Sequence, residues 1–377
     1  MAEPTNTPAP SSPRPDAAAA PILIVGAGVS GLLLAQHLRR EGVAFAIFDR
    51  DEPGDKTRGV GWGLTLHWSL PQLRALLPDD LVRRLPEAYV DRAAVVDEGR
   101  YSAFPFYDLS TGGLKAATPG APESKRIRVS RERFRALLAT GIDVQWRKTA
   151  TRFETSDDTS SVTVHFDDGT SHSGRFLVAC DGGNSRIRTA LLEQKARQQP
   201  PPAPPPPVNG DSNDNHEDGR FLIPVGVMGF RVNCTPAQAQ AMRDLDPFFL
   251  QGTASANNTY MYFSVLDSPG SPPENTDRYA CQVVVSWALR DNDKLGLSGD
   301  GGHVKAPHVY PVTNESRLAL VRSLGAVWAD PFASLVRSVP DGTEVRALEL
   351  YDWPPPTDFR GEGPVALAGD AFHQMCM

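Results

Sequence analysis

The stretch at residues 21–50, PILIVGAGVSGLLLAQHLRREGVAFAIFDR, decides the fold of this chain. Residues 22–25 are a short apolar run rich in β-branched side chains, which predicts a parallel strand buried on both faces. Gly26, Gly28 and Gly31 follow at the G-x-G-x-x-G spacing. In that order, these glycines permit a tight turn, let the backbone approach a pyrophosphate and let the next helix pack closely against the strand.

A helix, a second strand and an acid complete the pattern. The leucine-rich residues 32–38 predict the helix, and the apolar run at residues 43–48 predicts a strand that ends at Asp49. An acid about 20 residues beyond the glycines accepts hydrogen bonds from the adenosine ribose. The stretch therefore indicates a βαβ unit that binds FAD or NAD. The charge of Asp49 disfavours NADP here, because it would repel a 2′-phosphate.

A secretory signal and a membrane anchor are two other interpretations of this apolar stretch. Residues 21–35 carry no charge, but they are shorter than the roughly 20 residues that span a bilayer, and glycines interrupt them. The Pro-rich residues before them lack a basic n-region. We therefore expect neither a signal peptide nor a membrane span.

Composition narrows the class of protein. The chain has 377 residues, enough for about two domains, and a formal net charge of −7. Because no basic stripe appears, nucleic acid is not an expected partner. The cysteines form no CxxC pair and the histidines, including His303 and His308, are scattered, so we expect no metal site and a reducing intracellular compartment, the cytoplasm. The four cysteines lie far apart: Cys180, Cys234, Cys281 and Cys376.

Low-complexity sequence marks two segments. Residues 1–19 are rich in Pro, Ala and Ser and predict a disordered leader. Residues 194–219 combine a Pro run with an acidic, Asn-rich stretch and predict a disordered, exposed insertion. Its PPAPPPP segment could bind an SH3-type partner, although a plain surface loop is the favoured interpretation.

Two further segments carry candidate ligand positions before the middle of the chain. Arg58 and the glycines at 59, 61 and 63 belong to a segment that either brings backbone close to a ligand or forms a flexible surface loop. Ser130 is the predicted N-cap of a helix that begins at Arg131. Most arginines of that helix should be solvated, and one could contact a phosphate or a ribose.

Two later strand patterns end in acids and glycines. Residues 176–180 form an apolar run that leads into Asp181 and two glycines, and residues 365–368 lead into Gly369 and Asp370. The carboxyl ends of parallel strands are where α/β sheets place their ligands. Both turns are therefore candidate parts of one binding site.

Aromatic and β-branched strand patterns dominate the second half of the chain. They predict one sheet covered on one side, and they lie at residues 224–233, 258–267 and 278–289, with a further strand at 344–353. Tyr260 and Tyr262 share a face of this sheet, which could cover an apolar substrate. Plain core is the alternative role for such a face.

These pieces in this order resemble the class A flavoprotein monooxygenases, the para-hydroxybenzoate hydroxylase-like family, and in detail its fungal members linked to secondary metabolism. The resemblance covers nearly all of residues 21–377. It rests on GAGVSG at 26–31 with Asp49, on CDGGNSRIR at 180–188, and on VALAGDAFHQM at 365–375. Three motifs in sequence are far more specific than any one of them.

The resemblance implies an α/β (α+β) fold with two domains. A Rossmann-like FAD-binding domain with a parallel sheet would be discontinuous, and a substrate domain would hold a mostly antiparallel sheet. The implied FAD-binding segments are residues 20–85, 123–193 and 344–377, and the implied substrate-domain segments are residues 86–122 and 220–343.

The resemblance also implies roles for individual residues. The first glycine motif would hold the ADP part of FAD, and Arg131 would contact the cofactor near the pyrophosphate. Asp370 would bind the ribityl and pyrophosphate region, and Gly63 would lie beside the ribityl chain. The segment with Asp181 and Arg188 has been tied to both FAD and NADPH. No catalytic side chain is predicted.

The expected function is that of an FAD-dependent monooxygenase, which uses NAD(P)H and O2 to hydroxylate or epoxidise a small organic substrate in secondary metabolism. The sequence departs from the family by having Asp49 in place of the usual Glu, and by lacking the helix that follows the Gly-Asp motif. The second departure leaves a truncated, non-catalytic remnant or an incomplete gene model as an alternative. An NAD-dependent dehydrogenase is less favoured because it does not explain the motif at 365–375. The oligomeric state is left open.

Overall fold

The computed structural model describes residues 20–53, 62–198, 220–271, 276–289, 310–356, 359 and 363–374. Four predicted features lie outside these residues: the leader at 1–19, Arg58 with Gly59 and Gly61, residues 199–219 of the insertion, and the loop with His303 and His308. Gly63, the last glycine of the predicted ligand-binding loop, lies within them.

The chain divides into two compact units. Among the described residues, the first unit holds 20–53, 142–198, 355–356, 359 and 363–372, and the second holds 62–141, 220–271, 276–289, 310–354 and 373–374. These units do not coincide with the predicted functional domains. Residues 62–85, 123–141 and 344–354 were expected in the FAD-binding domain and pack within the second unit.

Strand pairing explains the difference. Strand β3 (Gly63–Leu66) is antiparallel to β6 (Ile127–Ser130), and β17 (Val345–Leu348) pairs with β13 (Val225–Cys234). β17 therefore takes its backbone hydrogen bonds from β13, whereas β3 and β6 pair with each other and are joined to Ser264 of the second unit through Arg128. Their assignment to FAD binding stays a prediction.

The first unit is centred on a five-stranded parallel sheet, as predicted. Its strands are β1 (Ile22–Val25), β2 (Phe45–Phe48), β7 (Val144–Gln145), β11 (Phe176–Ala179) and β19 (Val365–Leu367). Their order is β19-β11-β1-β2-β7. The chain runs from β1 towards one edge through β2 and β7, and it fills the other edge with β11 and β19. The boundary between β1 and β11 is thus a switch point, where open α/β sheets bind ligands.

Two helices and a second, antiparallel sheet belong to the same unit. The helices are α1 (Val29–Arg40) and α5 (Arg186–Gln198), and the sheet consists of β8 (Ala150–Thr155), β9 (Val162–Phe166) and β10 (Ser171–Gly174). The core joins apolar residues of both sheets and α5, and the rings of Phe48 and Phe166 lie 4.8 Å apart between centroids.

Helix α5 corrects the predicted start of the insertion. Residues 194–198 are helical, although the sequence assigned them to a disordered segment. Lys195, Ala196 and Arg197 are strong helix formers, so they extend the helix up to the Pro run.

The second unit is built on a seven-stranded mixed sheet. Its remaining strands are β4 (Phe106–Asp108), β5 (Leu114–Ala116), β14 (Phe249–Ala254), β15 (Thr259–Asp267) and β16 (Tyr279–Ala288), and the order is β17-β13-β16-β15-β14-β4-β5. A small sheet pairs β12 (Phe221–Leu222) with β18 (Tyr351–Asp352). The helices are α2 (Leu70–Leu76), α3 (Asp79–Arg84), α4 (Arg131–Leu138), α6 (Pro236–Arg243), α7 (Asn314–Gly325) and α8 (Phe332–Arg337). No helix of the described segments is long and apolar enough to cross a membrane.

The three aromatic strand patterns form β13, β15 and β16 as predicted. Side chains that alternate along these strands pack on α6, α7 and α8 in one large core. The predicted strand at residues 344–353 is instead two short strands, because β17 pairs with β13 whereas β18 pairs with β12.

A buried ion pair lies beneath this sheet. The Arg243 guanidinium donates to Asp91 at 2.8 Å and also hydrogen-bonds the Tyr279 hydroxyl, over whose ring it lies at 4.4 Å. The side chains of Arg243 and Asp91 are 9% and 5% exposed. The pair fixes the 3-10 and π turns around residues 85–97 to the end of α6.

We expect Asp91→Ala to destabilise the protein strongly, because it leaves the Arg243 charge buried without its carboxylate. Loss of one partner of a buried pair costs about 3–5 kcal/mol. The free energy of unfolding in urea, followed by circular dichroism, measures the effect.

Asp341→Ala is the matched control. It also removes a carboxylate 2.8 Å from an arginine, Arg322, but the Asp341 side chain is 91% exposed. Water replaces the partner there, so we expect no measurable change. Equal losses in the two variants would contradict the role assigned to burial.

Candidate active site

Six of the eight predicted site residues lie together at the carboxyl ends of the strands of the parallel sheet. Gly26 follows β1, Asp181 follows β11 and Asp370 follows β19, so three neighbouring strands end at this edge. Backbone hydrogen bonds join the ends: Cys180 N–H donates to the Val25 carbonyl at 2.6 Å. Gly28, Gly31 and Asp49 complete the group from the turn before α1 and from the end of β2.

Glycine is required at the first and third positions of the motif because backbone packs on backbone. Gly26 has φ +107, and a Cβ there would lie 2.2 Å from the Cys180 carbonyl oxygen. A Cβ on Gly31 would lie 1.9 Å from the carbonyl oxygen of Gly26. The turn therefore fits against β11 on one side and α1 on the other only if neither residue has a side chain.

Gly28 is different, because its surroundings are open. A Cβ built on Gly28 would meet nothing within 4 Å. Gly28 is the N-cap of α1, no side chain of the described residues caps that helix, and its first turn holds no acid. The first amides of α1 and the positive end of its dipole thus face open space beside Gly28. A pyrophosphate needs such donors and such space.

Asp49 braces the glycine turn. Its carboxylate accepts the Ala27 N–H at 2.5 Å and the Asp51 N–H at 2.8 Å, and the side chain is buried. The acid thus fixes the turn in addition to its predicted role.

Asp181 begins the turn after β11. Its Oδ2 accepts the Arg186 N–H at 3.0 Å, while its buried Oδ1 has no hydrogen-bond partner in the part of the chain that the structure describes. Burial raises the pKa of the Asp181 carboxyl. A buried acceptor without a donor costs free energy, and a ligand hydroxyl would satisfy it. Gly182, with φ +87, lets the chain turn there.

Arg188 has a structural role that the sequence did not reveal. The side chain is 0% exposed and donates to the carbonyls of Gly183, Asp370 and Ala371 at 2.5, 3.4 and 3.2 Å. It therefore ties the turn after β11 to the turn after β19. The family resemblance had connected Arg188 with FAD and NADPH, whereas its hydrogen bonds position the two acid-bearing turns.

The Gly-Asp turn packs against the first turn of α1. Gly369 has φ +61, and a Cβ there would lie 2.4 Å from Ser30 Oγ. Asp370 itself is exposed, and Arg188 holds its carbonyl. The Asp370 carboxylate is thus accessible to a ligand at the carboxyl ends of the strands, where the glycine turn also lies.

The other two predicted residues, Gly63 and Arg131, lie in the second unit. They are adjacent there, since Gly63 pairs with Ser130 across the β3–β6 ribbon and the Arg131 N–H donates to the Trp62 carbonyl at 3.1 Å. A Cβ on Gly63 would lie 2.5 Å from the Arg128 guanidinium. Glycine at this position is therefore explained by Arg128, with or without a ligand.

The open space at Gly28, the uncapped helix and the partnerless oxygen of Asp181 together fit a bound dinucleotide. No group of three or more His, Cys, Asp or Glu side chains in the described segments is arranged to hold a metal ion. The first unit thus has the geometry of a dinucleotide-binding protein. That each of the eight predicted residues contacts FAD stays a prediction.

Comparisons with known proteins narrow this class. The family model described as FAD dependent oxidoreductase matches residues 21–199. A protein of Arthroderma benhamiae, named "Probable FAD-dependent monooxygenase", is 39% identical over 94% of this chain and 76% of its own length. The FAD-dependent monooxygenase dbaB of Emericella nidulans is 35% identical over 94% of this chain and 81% of its own length. This chain belongs to the FAD-dependent monooxygenase family.

Solved structures share the fold. The 2,6-dihydroxypyridine-3-hydroxylase of Arthrobacter nicotinovorans is similar with a TM-score of 0.60 at 18% identity, over 94% of this chain and 78% of that one. HpxO of Klebsiella pneumoniae, solved with FAD and uric acid, gives a TM-score of 0.57 at 17% identity, over 94% and 74%. The predicted α/β fold, with its parallel sheet and mostly antiparallel second sheet, is confirmed.

We expect Gly31→Ala and Gly28→Ser to affect the apoprotein differently. The alanine Cβ collides with the Gly26 carbonyl, and overpacking of this kind costs about 1–3 kcal/mol or more. Serine at Gly28 has room and is a favourable N-cap, so it should leave stability unchanged or raise it. Urea unfolding of FAD-free protein measures both changes. A Gly31→Ala variant as stable as Gly28→Ser would refute the close backbone approach.

Proposed function

We propose that this protein uses bound FAD, NAD(P)H and O2 to hydroxylate or epoxidise a small organic substrate in a secondary-metabolite pathway. One observation carries the cofactor part of the proposal. Three neighbouring strands end in turns with a glycine at positive φ, at Gly26, Gly182 and Gly369, and these turns surround an open helix N-terminus. The fungal origin of the monooxygenases at 39% and 35% identity supports the pathway.

The residues of the first unit divide the work of holding FAD. The backbone at Gly28 and the amides of α1 would bind the pyrophosphate, because they supply donors and a positive dipole end. Asp49 would accept from the adenosine ribose. Asp370, with its exposed carboxylate, and Asp181, with its partnerless Oδ1, would accept from hydroxyls of the rest of the cofactor.

For Gly63 and Arg131 we propose the roles that the family resemblance implies, a position beside the ribityl chain and a contact near the pyrophosphate. Arg131 begins α4, where its backbone is fixed by Trp62, and a guanidinium suits a phosphate because it donates several hydrogen bonds in one plane. Gly63 would offer backbone without a side chain. Both roles rest on the family resemblance and on the adjacency of the two residues.

Bound FAD would supply the redox chemistry, namely the acceptance of electrons from NAD(P)H and the activation of O2. The protein has to bind the cofactor, orient the substrate and exclude water. Arg188 serves this purpose indirectly, because it fixes the two turns that carry Asp181 and Asp370. No proton-transferring side chain is assigned.

Gly28→Asp separates cofactor binding from folding. Aspartate is a preferred N-cap, so the apoprotein should be as stable as the wild type or more stable. The same negative charge would face the pyrophosphate, so we expect the affinity for FAD to fall by about 100-fold or more. Titration of apoprotein with FAD, followed by flavin fluorescence, measures the affinity.

Gly28→Ser provides the uncharged control, since it caps the helix without adding charge, and it should keep FAD affinity within about tenfold of the wild type. Wild-type protein that purifies without FAD and refuses added FAD would overturn the proposed function. Protein that holds FAD but does not reduce it with NADPH or NADH would overturn only the choice of reductant.

A further inference from the structure

The second unit holds an open cavity of about 480 Å³, and all the residues that line it belong to that unit. Cavities that bind small molecules have volumes of roughly 300–1,000 Å³. The lining comes from the end of α3, the turns that follow it, α4 and the loop after β15. Three of the lining side chains are arginines, at positions 84, 92 and 133, and one is an acid, Glu87. The cavity is therefore rich in positive charge.

Two of these arginines are held in place by hydrogen bonds. Arg84 donates to both carboxylate oxygens of Glu87, at 2.9 and 3.0 Å. Arg133 forms an ion pair with Asp267 at 2.8 Å and donates to the Tyr89 carbonyl at 2.6 Å. A guanidinium has five N–H donors, so each arginine keeps N–H groups that these bonds do not use. Their orientation is thus fixed before any ligand arrives.

Arg92 supplies the third guanidinium and has no carboxylate partner. It is exposed, and no hydrogen bond or ion pair ties it to another of the described residues. Its charge nevertheless acts inside the cavity. The hydrogen bond from Arg84 lowers the pKa of the Glu87 carboxyl, and the charge of Arg92 acts in the same direction. The cavity therefore combines two fixed guanidinium groups with one that is unpaired.

Apolar side chains complete the lining. Pro86, Ala136 and Leu137 lie in the same cavity as the arginines. Leu137 is 4% exposed and packs into the unit, whereas Ala136, one position earlier on α4, is exposed and contributes only a methyl group. A small inorganic anion would leave these side chains uncovered. The lining suits an anion that is carried by a larger, partly apolar molecule.

We propose that this cavity binds a nucleotide through its phosphate groups. Arginine suits phosphate because its planar fork donates two parallel hydrogen bonds to two oxygens, and a phosphate supplies the negative charge that Arg92 lacks. The base and the ribose would lie against Pro86, Ala136 and Leu137. The inference goes beyond the proposed function, because it assigns a second anion site in addition to the FAD-binding strand ends of the first unit.

Two sources can supply a nucleotide phosphate. NAD(P)H, the reductant of the proposed function, is one source, and this choice rests on that function. A separate effector nucleotide, which takes no part in the reaction, is the other. Both share the chemistry that the arginines recognise, so competition with NADPH has to distinguish them.

The experiment uses FAD-loaded protein, in which the FAD site is filled, and two probes: adenosine 2′,5′-bisphosphate and the uncharged adenosine. We expect the wild type to bind the bisphosphate at least about tenfold more tightly, as for hydrogen bonds to a charged group. The difference should shrink as salt is added, because exposed charges are screened. Isothermal titration calorimetry at low and at physiological salt measures both affinities.

Two variants test the lining itself. Arg92→Met should weaken binding of the bisphosphate about tenfold and leave binding of adenosine within about twofold. Ala136→Glu should abolish binding of the bisphosphate, because it places a longer and negatively charged side chain inside the cavity. Both positions are exposed, and glutamate is a good helix former, so neither change should disturb folding.

Arg83→Met is the matched control for a general loss of positive charge. Arg83 is also exposed and lies next to Arg84 on α3, but it is not part of the cavity lining. Binding of the bisphosphate should therefore stay within about twofold of the wild type. Equal weakening in Arg83→Met and Arg92→Met would overturn the inference, and so would equal affinity of the wild type for the two probes.

The rate of flavin reduction identifies the source of the nucleotide. If the ligand is the reductant, the bisphosphate competes with NADPH, and Arg92→Met raises the NADPH concentration for half-maximal reduction about tenfold without lowering the maximal rate. If the ligand is a separate effector, the bisphosphate binds equally well at saturating NADPH. Either result supports the cavity as a nucleotide site, and a wild type that does not bind the bisphosphate overturns it.

The outcomes also separate this inference from the proposed function. FAD content and reduction by NADPH or NADH are measured on every variant before the probes are added. Protein that holds and reduces FAD but does not bind the bisphosphate refutes the nucleotide site alone. Protein that holds no FAD refutes the proposed function, and loss of probe binding in Ala136→Glu then still decides whether the cavity binds a nucleotide.

Discussion

The close contact of backbone with backbone at the ends of β1 and β11 is the constraint on which the first unit depends. The Gly26 turn touches the Cys180 carbonyl on one side, and Gly31 brings α1 onto the Gly26 carbonyl on the other. With side chains excluded, the helix N-terminus lies at the switch point of the sheet. A side chain at Gly31 would push α1 away from the strand ends, and the amides of the helix would then no longer lie at the switch point. The shape of the site is thus set by the absence of atoms at two positions.

The parts of this architecture that follow from local sequence were predictable. The motif at Gly26, Gly28 and Gly31 with Asp49 has a fixed spacing along one βαβ unit, so strand, helix and acid could be located without coordinates. The aromatic strands β13, β15 and β16 were equally predictable, because alternation over nine or ten residues is a strong signal.

What could not be predicted depends on pairing between distant segments. The sequence gives no sign that β17 and β18 separate at residues 349–350, since their partners, β13 and β12, decide it. Arg188 carries no local mark of its role, because its acceptors at 370 and 371 are remote in the chain. Gly63 was assigned to a ligand by family resemblance, whereas its contact with Arg128 required knowledge of the β3–β6 register.

Three buried arginines show how differently one chemical group can be used. Arg243 joins elements by pairing with an acid, and Arg188 joins two turns by capping carbonyls. The Asp91 carboxylate neutralises the charge of Arg243, whereas backbone carbonyls solvate the charge of Arg188. Arg128 joins β6 to β3 and β15 through the hydroxyls of Thr65 and Ser264, and its guanidinium lies over the ring of Tyr262.

The position of β19 in the parallel sheet has a consequence for biosynthesis. β19 pairs with β11, so Val365 must reach a partner near Leu177 after the larger part of the second unit has been synthesised between them. Contacts this remote form late, because the loop must close before the strands gain any pairing energy. On the ribosome, β11, which leads into Asp181, therefore lacks its partner β19 until residues 365–371 emerge from the exit tunnel. Binding of the cofactor at these strand ends is then a late event. Until β19 pairs with β11, the nascent first unit exposes β11 as an unpaired edge strand.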